Sequence, residues 1–248
     1  MFLKFATIDN IRDLGGVTTA DGRTVVFKRL LRSSDLHRLS QSELSVLKKE
    51  YNLKVVIDFR STKSTVSRKD RLDQTIKYYH KYTLAFLEEN SLTRETKMDT
   101  DEFFLKVYRS LALCDEAIEA YRRFFRIVIE NEEGAILWHC TSGKDRTGIA
   151  AALLLKVLGC DMNTIYQEHF RTNEVTLPIL AAKLKEVNPG DHELIKYYRA
   201  FYTAKKEYID AYFSAVLEKC DTVDEYIAKE LNVSGQEKEV LRTRYLQK

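Results

Sequence analysis

Apolar positions along the chain fall into two kinds of run. Short unbroken runs, many of them β-branched, occupy positions 24–27, 54–59 and 135–139, and they predict buried strands. A Tyr-rich segment at 76–83 has the same character. Elsewhere apolar residues recur three and four apart, which predicts helices over 101–113 and 115–130. Positions 148–158 are apolar almost throughout and end at Gly159, a natural helix terminus. Ser40 with Glu43, and Ser234 with Glu237, are capping boxes that open helices, the first running to about Glu50. Residues 84–100 are polar and have no clear period. The last third of the chain is mostly helical, with a break at Asn188, Pro189 and Gly190.

Strands alternating with helices predict an α/β fold with a mainly parallel central sheet flanked by helices. The only prolines are Pro178 and Pro189, and no Gly- or Ser-rich linker divides the chain. One domain over 1–248 is expected, with a catalytic α/β core over 1–175 and a helical extension over 176–248 packed on it. A chain of 248 residues, 44% of them hydrophobic, can bury a full core without disulfides or metals. The net charge of +3 is too small to argue for nucleic acid, and the basic residues form no block. The four cysteines, at 114, 140, 160 and 220, have neither C-x-x-C nor zinc-ligand spacing. No metal or cofactor is expected, and the compartment is read as reducing and cytoplasmic. The first ten residues lack a long apolar run, so no signal peptide or transmembrane segment is expected; leaderless secretion stays open.

The chemistry concentrates in His139-Cys-Thr-Ser-Gly-Lys-Asp-Arg-Thr-Gly148. Here a buried strand runs into a loop that starts at Cys140 and ends at Arg146, and the loop runs into an apolar helix. Backbone N–H groups at a helix N-terminus, helped by the helix dipole, make a seat for a phosphate dianion. Thr141, Ser142, Gly143, Lys144, Asp145 and Arg146 would line that seat. Gly143 allows close backbone approach. A thiol in such a field ionises readily, to a pKa of roughly 3.5–7.5. Cys140 is thus the expected nucleophile and Arg146 the phosphate clamp. Thr147 would hydrogen-bond Cys140 and stabilise it as a leaving group, and His139 would orient the loop from behind. Gly143-Lys144 is not a nucleotide-binding loop, since the required upstream Gly is missing and Asp145 replaces Ser or Thr.

This segment resembles the signature of the protein tyrosine phosphatase superfamily, His-Cys-x-x-Gly-x-x-Arg. The fuller form resembles atypical bacterial tyrosine phosphatases with a Gly-Lys-Asp-Arg loop, some of which also act on phosphoinositides. Asn10-Ile-Arg-Asp13, Arg32-Ser-Ser-Asp-Leu36, Val56-Ile-Asp-Phe-Arg-Ser61 and His169-Phe-Arg-Thr-Asn173 resemble further blocks of that family. The resemblance implies a phosphatase fold, a phosphocysteine intermediate and no metal. It also implies a phosphorylated protein or a phosphoinositide as substrate, and inorganic phosphate as product or inhibitor.

Expelling the leaving group needs a proton donor. The loop that carries the acid in many relatives corresponds here to 84–100, which has no Trp-Pro-Asp signature. Asp145 is the expected catalytic acid; Asp13, or an acid such as Glu88, Glu89 or Asp99, is the alternative. Asp145 could instead pair with Lys144 or Arg12 to fix the loop. Asp58 and Arg60 are expected as a buried structural pair. Lys144 resembles the lysine that meets a second phosphate in phosphoinositide phosphatases. Three functions follow: a tyrosine phosphatase with possible dual specificity, a phosphoinositide or inositol phosphate phosphatase, or a catalytically weak phosphate-binding module.

Overall fold

A computed structural model of the chain describes residues 1–83 and 99–248. Its main sheet has five strands, β1 (Arg12–Asp13), β3 (Leu30–Ser33), β4 (Leu53–Asp58), β5 (Lys77–His80) and β6 (Ala135–His139), in the order β1-β3-β6-β4-β5. All neighbours are parallel except β1 and β3. A small antiparallel pair joins β2 (Thr24–Val25) to β7 (Leu246–Gln247).

Successive strand residues face opposite sides of a sheet, and both faces here are apolar. Leu30, Val55, Ile57, Ile136 and Trp138 enter one hydrophobic cluster, while Leu31, Val56, Ala135 and Leu137 enter the other. The smaller cluster is closed by α1 (Gln41–Glu50), whose Leu44 and Leu47 are buried against it. The larger is covered by α3 (Thr100–Leu113), α4 (Asp115–Glu130) and α5 (Asp145–Leu158). A short α2 (Thr62–Ser67) follows β4. After α5 come α6 (Met162–Phe170), α7 (Thr172–Lys185), α8 (His192–Tyr202), α9 (Lys206–Lys219), α10 (Val223–Lys229) and α11 (Gly235–Tyr245). Residues of the last four, among them Tyr208, Tyr212, Tyr226 and Tyr245, sit in the same cluster as α4 and α5. Among the described helices none is long and apolar enough to cross a membrane.

Both capping boxes are present, at Ser40 and Ser234. The run at 24–27 contributes only two residues to a strand, and these pair with β7 outside the main sheet. The sheet takes β1 and β3 instead, which carry Arg12, Asp13, Arg32 and Ser33 and so lack an apolar signature. Helix α5 starts at Asp145, ahead of the apolar stretch, because its first turn is made of loop residues. Residue 176 falls inside α7.

Leu47 is fully buried beneath the sheet, far along the chain from the Cys140 loop. Leu47→Ala removes about 2–5 kcal/mol of stability, which urea unfolding monitored by circular dichroism measures.

Candidate active site

The three central strands end side by side: Ser33 on β3 and Asp58 on β4 both pair with His139 on β6. The residues just beyond these C-terminal ends therefore meet in one crevice, where parallel sheets place their ligand sites. Cys140 follows β6 directly and is 1% exposed. Arg146, in the first turn of α5, folds back toward it. Its Nη1 donates to Phe59 O at 3.1 Å, and its Nη2 reaches Thr141 Oγ1 at 3.5 Å. That turn is pinned from behind, with Tyr121 OH donating to Arg146 O and Trp138 Nε1 to Thr147 O, both at 3.2 Å. Burial alone would push the Cys140 thiol up. The Arg146 charge, together with the neighbouring Thr147, outweighs it and lowers the thiol pKa.

Gly143 adopts φ +69°, in the left-handed region, and a Cβ there would collide with the Ser33 carbonyl. His139 is buried at the centre of a charged net. Its Nδ1 lies 3.1 Å from Cys140 O and its Nε2 2.9 Å from Asp70 Oδ2. Burial opposes the imidazolium, but Asp58 and Asp70 overcome that and push it up to about 9. Asp58 and Arg60 form the expected buried pair, at 2.7–3.0 Å, and Arg60 also lies 2.9 Å from Asp70. Asp58, Asp70 and His139 offer converging metal-type donors. Protonated His139 and the Arg60 guanidinium already satisfy those carboxylates, so the cluster is an ion-pair net and a poor fit for a metal.

Lys144 is 1% exposed. Its Nζ donates to Asp145 Oδ1 at 2.6 Å and lies 4.7 Å from the Phe104 ring centroid and 5.6 Å from that of Tyr208. Tyr108 OH also donates to Asp145 Oδ1, at 2.7 Å. Burial would raise the Asp145 pKa, but Lys144 and Tyr108 hold it below the usual carboxylate value. The pairing is the loop-fixing arrangement weighed from sequence. Of the other candidate acids, Asp13 accepts from the Gly15 and Lys28 amides. Asp99 caps α3 and pairs with Lys196, and Glu88 and Glu89 lie outside the described residues.

Asn10, Arg32 and Glu168 gather behind the loop without having been assigned a role from sequence, and Arg12, weighed there as a partner for Asp145, pairs with Glu168 instead. Asn10 Nδ2 donates to Ser142 O and Gly143 O, each at 3.1 Å, and Arg32 Nη2 donates to Gly143 O at 2.8 Å. Glu168 joins Arg32 Nη1 at 2.7 Å to Arg12 Nε at 2.6 Å. Asn10, Arg12 and Arg32 lie in recognisable motifs, but Glu168 sits in α6 and reads as an ordinary surface acid of a helix. Beside the loop, a cavity of about 140 Å³ is lined by Thr141, Ser142, Arg38, Arg68 and Tyr202.

A sequence model described as the tyrosine phosphatase family matches residues 3–247. A Cupriavidus necator protein provisionally named a tyrosine-protein phosphatase is 30% identical over 98% of this chain and 88% of its own length. The triple specificity protein phosphatase PtpB of Mycobacterium tuberculosis is 25% identical over 72% of this chain and 71% of its own. Among solved structures, P. aeruginosa TpbA aligns with 82% of this chain and 86% of its own, at 20% identity and a TM-score of 0.33.

Two outcomes test the geometry. Gly143→Ala forces a side chain into the left-handed region, at about 1–2 kcal/mol, and against the Ser33 carbonyl. Inorganic phosphate should then bind at least ~10-fold more weakly, as isothermal titration measures. For His139 the folded pKa of about 9 stands above the ordinary imidazole value of 6.5. Its stabilisation is therefore complete below about 6.5 and is lost as pH rises through about 9. In a Cys140→Ser background the melting temperature should fall across that interval, and adding His139→Asn should flatten the slope.

Proposed function

We infer the function from one premise: the chain belongs to the tyrosine phosphatase family. It is a phosphoric monoester hydrolase of the cysteine-dependent type. The observation that carries the site assignment is the buried Cys140 thiol, its pKa lowered by Arg146 and Thr147 at the head of α5.

In our reading the Cys140 thiolate attacks phosphorus in line with the ester oxygen. The S–P bond forms as the P–O bond breaks, and the leaving oxygen takes up a proton from bulk water. Water then attacks the phosphocysteine, its proton passes to bulk water, and the breaking S–P bond releases inorganic phosphate and the thiolate. The N–H groups of the loop and the planar fork of Arg146 hold the non-bridging oxygens, where charge is greatest in the transition state. Thr147 stabilises the sulfur as it leaves. His139, kept cationic by Asp58 and Asp70, supports the thiolate from beneath.

Phosphotyrosine-bearing protein is the proposed main substrate, with phosphoinositide as the secondary class. The preference is supported by Lys144: the lysine that could meet a second phosphate is buried under Phe104 and Tyr208. The name of the mycobacterial relative, a triple specificity phosphatase, supports a broader range than tyrosine alone. Free cysteines at 114, 140, 160 and 220 support a cytoplasmic site of action. For Asp145, ionised and paired on both sides, the geometry favours loop anchoring over proton donation.

Hydrolysis of para-nitrophenyl phosphate, a phosphotyrosine peptide and phosphatidylinositol phosphates in the presence of EDTA tests the whole reading. Wild type should turn over the first two fastest, and Cys140→Ser should fall to background on all three. Activity retained in the mutant would sink the phosphocysteine route, and phosphate binding without turnover in wild type would favour the binding module. Asp145→Asn should slow alkyl and aryl phosphates by equal factors. A selective loss on alkyl phosphates, whose leaving groups need the proton, would make it the acid.

A further inference from the structure

A seat for an anion built from backbone N–H groups needs those groups turned the same way. The described chain has no cis peptide bonds, and in a trans peptide the C=O of one residue points opposite to the N–H of the next. Fixing consecutive carbonyls on one side therefore turns the following N–H groups to the other.

In this loop four consecutive carbonyls have partners. Cys140 O faces His139 Nδ1 at 3.1 Å, and Thr141 O accepts from the Asp35 amide at 3.1 Å. Ser142 O accepts from Asn10 Nδ2 at 3.1 Å. Gly143 O accepts from Asn10 Nδ2 at 3.1 Å and from Arg32 Nη2 at 2.8 Å. The N–H groups of residues 141–144 donate to no acceptor among the described residues. They are left for a ligand.

The Gly143 carbonyl has the most to hold. Glycine moves between left- and right-handed backbone at little steric cost, so the peptide after Gly143 is the easiest in the loop to flip. A flip would turn a carbonyl oxygen toward the phosphate in place of the Lys144 N–H. The groups that prevent it are themselves constrained. Arg32 and Arg12 share the two oxygens of Glu168, and Arg12 Nη1 donates to Asn10 Oδ1, which aims the Asn10 amide at the loop. Both guanidiniums are fully buried and Glu168 is 3% exposed. Two cations and one anion leave an excess positive charge behind the seat.

We propose that Asn10, Arg32 and Glu168 are positioning residues for phosphoryl transfer, forming a buried frame that aims the loop N–H groups by holding their carbonyls away from the phosphate. The proposal rests on the reading of the Cys140 loop as the phosphate seat.

The test compares Asn10→Asp, which keeps the shape and puts an acceptor where a donor stood, with Arg32→Lys, which keeps the charge and loses the fork. Leu47→Ala serves as a control for loss of stability alone. On the full chain one measures kcat and KM for para-nitrophenyl phosphate, the inhibition constant of inorganic phosphate, and the Cys140 pKa from the pH dependence of iodoacetamide alkylation. Both frame variants should raise KM and the phosphate inhibition constant by at least ~10-fold, corresponding to about 1.4 kcal/mol, and raise the Cys140 pKa. Leu47→Ala should move neither. Shifts no larger than those of the control, or failure of both frame variants to fold, would reduce the frame to a structural element. Activity surviving in Cys140→Ser would instead overturn the phosphatase reading beneath it.

Discussion

A backbone that offers its N–H groups to an anion must put its carbonyls somewhere, and this requirement organises the centre of the molecule. The loop after β6 is short and its carbonyls face the protein interior, where water cannot satisfy them. Partners have to arrive from elsewhere in the chain. The sheet order brings β3 and β4 to either side of β6, with their ends level. Asp35 then meets Thr141, and Phe59 meets both His139 and Arg146. The antiparallel β1 brings Asn10 beneath the far side of the loop.

Two charge systems flank Cys140, and each obeys the rule that buried charge must be paired. On one side Asp58, Asp70 and Arg60 surround His139; on the other Glu168 bridges Arg12 and Arg32. A third pair, Lys144 with Asp145, lies in the loop itself and is closed off by α3 and α9 through Tyr108, Phe104 and Tyr208. Arg146 differs from these cations. Its recorded hydrogen bonds go to a carbonyl and a hydroxyl, so its charge remains available to the thiolate and to a phosphate.

The Cys140 loop was legible in the sequence because its residues are close neighbours along the chain. Cys140, Gly143, Arg146 and Thr147 lie within eight positions, between a strand and a helix that both announce themselves by apolar pattern. The long helices and strands β4, β5 and β6 were readable for the same reason. Strands β1 and β3 were not, since their charged residues are buried by pairing and leave no hydrophobic signature. Glu168 was invisible on similar grounds: nothing in α6 distinguishes a glutamate that meets two arginines in the interior from one that meets water. Lys144 reads in sequence as a residue free to reach a ligand, and only tertiary packing places two aromatic rings over it.

The frame behind the loop draws its members from widely separated parts of the chain. Asn10 reaches a carbonyl 132 residues away, and Arg12 a carboxylate 156 residues away. Contacts of such separation form late, after local helices and hairpins. A nascent chain that has emerged past residue 140 but not past residue 168 therefore lacks the carboxylate that joins Arg12 to Arg32. The order of assembly follows: the loop after β6 is completed only once a helix that comes later in the chain has docked behind it.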